Sequence, residues 1–347
     1  MPRALVATAP RRPELIEYDE LELKSTEVRI KSIFSAVKHG TELRAYRANT
    51  LDVEKPFDSE LGLHVKKTEN NSFEKKFPMN LGNVTVGEVI EVGHEVDKFR
   101  IGDPVYGSLS IQETHTVESE KLELVPQGMD YYSVVCWDPV GVALSGIRDS
   151  GVGIGDSVLV IGLGAIGQFA IQLARLQGAS WVAGSDISEK RRNVAKQQGV
   201  DIVFDPDFDD VGLEVKKNTS GKGVDVVIEA SGSYPGLNDA IRAASYAANV
   251  VSVAYYHGDS KGLRFEGEWH RNRINLLSSR DVSAPHRLSP RWNASRLHKT
   301  AFELLYKKSL NYEGILDPIV SFRDSVEAYR QIDENPLSCL KLGVTYS

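Results

Sequence analysis

Cysteine is nearly missing: the 347 residues hold only Cys136 and Cys339. Two thiols exclude a disulfide framework and any zinc centre built from four cysteines. Long hydrophobic runs are missing too. The longest, Val158 to Ala174, is interrupted by glycines and glutamines, and the opening "MPRALVATAPRRPELIE" has no continuous apolar core of a signal peptide. These absences argue against a membrane role and predict the cytoplasm as the compartment. Positive charge is not in excess: 41 Lys and Arg face 48 Asp and Glu, a net charge of -7. A general affinity for nucleic acid, which needs clustered Lys and Arg, is therefore not expected.

What is present is an ordinary soluble composition, 41% apolar and 26% charged, in a chain long enough for two domains. As far as about residue 125 the pattern is strand-like and turn-rich, with "ALVATA", "EVRIKSIFSAV" and "VGEVIEVG" punctuated by "RIGDPVYG" and "LVPQG". Near Gly155 the rhythm changes. "SVLVIG", "WVAGSD", "DIVFD", "GVDVVIEASG" and "NVVSVAYY" read as strands alternating with helices, one of them "AIGQFAIQLARLQG", whose apolar residues recur at helical spacing. That alternation predicts a doubly wound parallel sheet. Beyond residue 292, "ASRLHKTAFELLYKK", "ILDPIVSF", "SVEAYRQIDE" and "CLKLGVTY" make a tail too long to extend that sheet; folding back on the first domain would give a split order. The polar stretch "KKTENNSFEKKF" reads as a solvated loop.

"VLVIGLGAIGQFA" carries Gly162, Gly164 and Gly167 in G-x-G-x-x-G spacing, between a strand and a helix that opens on Ala165 and Ile166. In that setting the glycines serve a tight turn, a close backbone approach to a pyrophosphate and close helix-to-strand packing, with the phosphates on the helix N-terminus. Asp186 ends the next strand 24 residues after Gly162, placed to accept from both ribose hydroxyls. Its charge would repel a 2'-phosphate, which favours NAD over NADP; Arg191 and Arg192 are near enough to favour the phosphate instead.

Together with this turn, "SAVKHGTEL", "LGNVTVGEVIEVG", "RIGDPVYG" and "DPVGVAL" make the chain resemble the medium-chain dehydrogenase/reductase superfamily of zinc-type alcohol and polyol dehydrogenases, over nearly its whole length. The resemblance implies a GroES-like β-rich catalytic domain, 1–150 and 293–347, interrupted by a Rossmann NAD-binding domain, 151–292. It implies Asp186 and Arg191 at the adenosine ribose, Ser231 and Gly232 on the nicotinamide side, Lys341 near the pyrophosphate, Thr41 as the hydroxyl that relays the substrate's proton, and a dimer or tetramer. The sequence departs from the family at the metal. No cysteine stands in "FSAVKHGTEL", Asn83 and Val84 replace a His-Glu pair, Asp138 replaces a Glu, and the four-cysteine lobe is missing. A catalytic zinc wants three good protein ligands, so no metal is expected. His39, His64 and His115 are the other nearby nitrogen donors.

Without zinc, a protein group must take the proton while hydride leaves for the nicotinamide. Lys38 is the first candidate: it occupies the corner of the missing cysteine, and burial beside a cationic nicotinamide would lower its pKa toward working pH. His39 titrates in the right range, Thr41 can orient either, and Asn83 can hydrogen-bond a substrate hydroxyl. The alternative is a charged helix start with Lys38 in solvent. In "EWHRNRINLLSSRDVSAPHRLSPRW" five arginines are interleaved with His270, His286, Trp269 and Trp292; they suit sugar rings, or are ordinary surface contacts. Segment 47–80 reads as a lid or a tolerated insertion. The leading expectation is a zinc-independent NAD-dependent dehydrogenase of a polyol or sugar-like substrate. A zinc-free NADPH-dependent C=C or quinone reductase, or a non-catalytic nucleotide-binding protein, are the alternatives.

Overall fold

The computed structural model describes residues 1–48, 55–66, 77–256, 258, 260–283 and 287–346, apart from the side chain of His39. The chain forms two compact units, Met1–Tyr131 with Asp317–Ser347, and Tyr132–Leu316.

The first unit is built on antiparallel strands. β1 (Arg3–Ala9) pairs with β2 (Arg12–Glu17) and β6 (Met79–Asn80). A larger sheet centres on β3 (Glu27–Ala36), flanked by β7 (Val84–Val92) and β18 (Gly343–Thr345), and also paired with β9 (Thr114–Glu118). β18 lies antiparallel to β3, with Gly343 opposite Ala36. This pairing is how the tail joins the N-terminal part, as the split order predicts. The tail is fixed further by α10 (Ser325–Glu334), which buries Tyr329 and Ile332 against Leu5, Leu43, Tyr46, Leu81 and Leu342. β4 (Phe57–Asp58) and β5 (Leu63–His64) form a small hairpin within segment 47–80; residues 49–54 and 67–76 of that segment lie outside the described residues.

The second unit is a six-stranded parallel sheet in the order β13 (Ile202–Phe204), β12 (Trp181–Ser185), β11 (Ser157–Ile161), β14 (Val224–Glu229), β15 (Ala244–Ser252), β16 (Asn275–Ser278). The strands read as apolar runs because both faces are covered. The sequence reading puts the joints at 150/151 and 292/293, whereas the units divide at 131/132 and 316/317. Two helices account for the difference. α3 (Trp137–Ser150) lies on the sheet, with Asn249 Nδ2 donating to Ser150 O at 3.0 Å and Ser145 Oγ 3.0 Å from Ser279 Oγ. α9 (Ala294–Tyr306) packs on α3. α3 is hidden in the sequence because Pro139, Gly141 and Gly146 give it low helix propensity.

Candidate functional site

In the first unit the sheet register assembles one corner. Ala36 at the end of β3 is opposite Val84 at the start of β7, and Asn83 N donates to Ala36 O at 3.0 Å. The chain leaving β3 thus runs beside the chain entering β7. After β3, Lys38 occupies the N-cap position of α1 (His39–Tyr46) without capping it through its side chain. The cap comes from Glu42. Its Oε2 accepts from Lys38 N at 2.7 Å and its Oε1 from Gly82 N at 2.6 Å, while Tyr329 Oη stands 3.4 Å away. Desolvation raises the Glu42 carboxyl above the ordinary carboxylate range, against the two backbone donors and the Lys341 ammonium, which pull it down. Lys341 itself is 2% exposed and donates to Val37 O at 2.7 Å.

The structure therefore brings Lys38, Asn83 and Lys341 to one corner, on a carboxylate that sequence reasoning missed. Thr41 is exposed on α1. Val84 is fully buried in its strand and presents nothing to a ligand. The other histidines scatter. His64 sits in the small hairpin, Nδ1 2.8 Å from Lys55 O and its ring against Phe57, and His115 is buried in β9 with no hydrogen bond at Nε2. Burial pushes His115 down to about 3, so it is a neutral core residue at ordinary pH. Among the described residues no group of three or more His, Cys, Asp and Glu is arranged to hold a metal ion. Asn83, an amide, and Val84, a buried isopropyl group, are poor zinc ligands.

The second unit carries the glycine turn at the C-terminal end of β11. Gly162 has φ of +86°, and a Cβ there would collide with the backbone of Ser231. Gly164 caps α4 (Ala165–Gln177) with open space where a side chain would be, leaving the helix's first N–H groups free of any side-chain cap. Gly167 packs against Gly162 O. Asp186, 7% exposed, follows β12; its Oδ2 accepts from Leu163 N at 2.7 Å and its Oδ1 from Ser188 N at 2.8 Å. The acid is thereby locked to the turn it serves. Arg191 Nη1 is 3.6 Å from Asp186 Oδ2, while Arg192 is committed to Asp205 at 2.6 Å and to Asp186 O at 2.7 Å. An uncapped helix start, a turn with glycine at 162, 164 and 167 and an acid at the next strand end fit a dinucleotide.

Ser231 and Gly232 follow β14, and a second unforeseen acid arranges them. Glu229 is fully buried; its Oε1 accepts from Ser231 N at 2.8 Å, from Ser231 Oγ and from Gly232 N at 3.2 Å, and its Oε2 accepts from Tyr256 Oη. Burial raises this carboxyl despite those donors. Asp138, 8% exposed, lies in the first turn of α3. Among the described residues the arginines and tryptophans of segment 268–292 do not converge. Trp269 packs on the sheet core with Phe265, Trp292 lies 3.5 Å from the Arg148 guanidinium and 4.3 Å from that of Arg296, Arg287 donates to Ser278 O at 3.1 Å, and His286 lies outside the described residues.

Two family models match in tandem: an alcohol dehydrogenase GroES-like domain over residues 45–169 and a zinc-binding dehydrogenase over 165–289. The D-guloside 3-dehydrogenase of Escherichia coli K12 is 39% identical over 99% of this chain and 100% of its own length. The chain belongs to the medium-chain dehydrogenase/reductase superfamily. The (R,R)-butanediol dehydrogenase of Bacillus subtilis is 29% identical over 52% of this chain and 59% of its own. The crystal structure of 2R,3R-butanediol dehydrogenase from that organism shares the fold with a TM-score of 0.77 at 21% identity, covering 99% of each chain, and galactitol-1-phosphate dehydrogenase from Escherichia coli does so at 0.76, also with 21% identity and 99% of each. As a medium-chain dehydrogenase the chain is a nicotinamide-dependent oxidoreductase of the alcohol and polyol type. Among the described residues no helix is long and apolar enough to cross a membrane.

Proposed function

We propose that this dehydrogenase moves a hydride between NAD(H) and a secondary hydroxyl, or its ketone, of a polyol or sugar-like substrate, without zinc. The observation that carries the reading is Asp186, a carboxylate bound to the glycine turn at the end of β12, with Arg192 already committed to Asp205. A ribose diol can donate to such an acid, and a 2'-phosphate would meet its charge. The same feature disfavours the NADPH-dependent C=C or quinone reductase. The substrate class follows the D-guloside 3-dehydrogenase relative.

When bound, the nicotinamide accepts or returns the hydride. The chain's own work is to hold the substrate and move its proton. Lys38 supplies a nitrogen at the corner fixed by Glu42, Thr41 a hydroxyl on the same helix, and Asn83 an amide for a substrate hydroxyl; His39 adjoins them in sequence. Gly164, Ala165 and Ile166 receive the pyrophosphate, and Asp186 with Arg191 the adenosine ribose. Ser231 and Gly232, fixed by Glu229, serve the nicotinamide half. Lys341 is assigned to the pyrophosphate, and Asp138, in place of a Glu near the family's metal, to the catalytic group, on the resemblance alone. Two buried free thiols accord with a reducing, cytoplasmic compartment, and a homo-oligomer, a dimer in this reading, is assigned on the resemblance alone. The test is a substrate panel: NAD with methyl D-guloside, polyols and butane-2,3-diol, against NADPH with enones and quinones. Turnover confined to the second arm would contradict the proposal.

A further inference from the structure

A ligand that crosses the glycine turn must lie along the C-terminal edge of the parallel sheet. The adenosine-side acid, Asp186, follows β12 on one side of β11, so the other half of a dinucleotide belongs over the ends of β14, β15 and β16. α3 climbs past that edge. Its last residue, Ser150, meets Asn249 within β15, Gly146 packs against Val253 just after β15, and Ser145 meets Ser279 just after β16. At about 1.5 Å per residue, Gly141 stands roughly 6 Å and Trp137 roughly 12 Å further out.

One histidine is seated there. His298, on α9, sets its ring 5.0 Å from that of Trp137 at 68°, and a Cβ on Gly141 would come within 3.3 Å of its Cδ2. Gly141 therefore makes room for the imidazole. His298 Nε2 faces Asp281 Oδ2 at 3.6 Å, an ion-pair distance rather than a hydrogen bond. Asp281 follows β16 and is 7% exposed, whereas the His298 side chain is 31% exposed and has no hydrogen bond at Nδ1 among the described residues. Trp137 Nε1 is buried with no acceptor among the described residues. A buried indole donor without a partner is costly. Hydrogen-bonding groups beside an aromatic face are what a ring bearing several hydroxyls needs: an acceptor and donors for its hydroxyls, and an apolar surface for its C–H groups.

We infer that Trp137, His298 and Asp281 form a hydroxyl-binding subsite that grips a sugar ring on the nicotinamide side of the second unit. It rests on the dehydrogenase reading above, which it narrows to a cyclic substrate with hydroxyls beyond the one oxidised. A four-carbon diol offers the subsite too little to reach.

The test compares methyl D-guloside with butane-2,3-diol in wild-type protein, His298→Phe and Asp281→Asn. Binding of methyl D-guloside to the enzyme–NADH complex, which cannot turn over, is measured by calorimetry alongside kcat/KM for both alcohols. NADH affinity reports whether each variant is folded. The expected result is a Kd for the guloside at least 10-fold weaker in both variants, with the guloside-to-butanediol ratio of kcat/KM falling by the same factor. A ratio and a Kd within twofold of wild type in both folded variants would overturn the subsite. So would wild-type protein that oxidises butane-2,3-diol but neither binds nor oxidises methyl D-guloside. Wild-type protein that binds NADH and oxidises neither alcohol contradicts the dehydrogenase reading itself, and the subsite falls with it.

Discussion

Glu42 Oε1 accepts from the backbone N–H of Gly82 at 2.6 Å, so one carboxylate joins the first helix to the loop that leads into Asn83. Its other oxygen holds Lys38 N at 2.7 Å. In Glu42→Gln the amide NH2 must face one of two N–H donors, leaving it unsatisfied at a cost of about 1–3 kcal/mol. Chemical denaturation should show that loss, and kcat should fall because the Lys38 corner loosens. NADH affinity should fall less than kcat, since the glycine turn and Asp186 belong to the other unit and Lys341 is the one assigned cofactor group at this corner. A variant as stable and as active as wild type would show that Glu42 positions nothing.

Lys38→Met should lower kcat by on the order of 100-fold, the scale for losing a positioned acid–base group, with little change in NAD affinity. Near-normal turnover would reject Lys38 and turn attention to His39 and Asp138.

Asp186→Ser should relax the preference for NAD, because it removes both the ribose acceptor and the repulsion of a 2'-phosphate. Titration of the unmodified protein is the prior check. NADPH binding as tight as NADH would refute the assignment.

His115 gives a pH dependence of stability. Its folded pKa, about 3, lies below the ordinary 6.5, so the unfolded chain binds the proton more tightly between those values. Stability from this group is complete above pH 6.5 and is lost as pH falls, by about 1.4 kcal/mol per pH unit. The raised carboxyls of Glu42 and Glu229 act in the opposite sense, since their folded forms hold protons more tightly. Comparison with His115→Leu cancels them. Between pH 7 and pH 5 wild type should lose about 2 kcal/mol relative to that variant; parallel denaturation midpoints across the range would contradict a neutral buried ring.

Much of the fold is legible because its signals are local. The glycine turn, the strand runs around it and the helix at Ala165 each follow from neighbours in sequence, and Asp186 from its place at a strand end. α3 is not legible, because tertiary packing on Val253 and Ser279 overrides the low propensity of its proline and glycines. The two buried acids escape for a different reason. Glu42 reads as part of a charged helix start, and its partner Gly82 is fixed only when β3 and β7 pair. Glu229 reads as the end of a strand; its bond to Tyr256 spans a helix and the next strand. His298 reads as one residue of an amphipathic helix, and neither Trp137 nor Asp281 can be matched to it before α3 and α9 pack.

The most direct measurement of the central claim joins metal content to turnover in one sample. Purified protein, analysed for zinc and then assayed with NAD and methyl D-guloside in the presence of a chelator, should contain far less than one zinc per chain and keep its full rate. About one zinc per chain, with activity lost to the chelator and restored by the metal, would contradict a reaction in which Lys38 and its neighbours do without it.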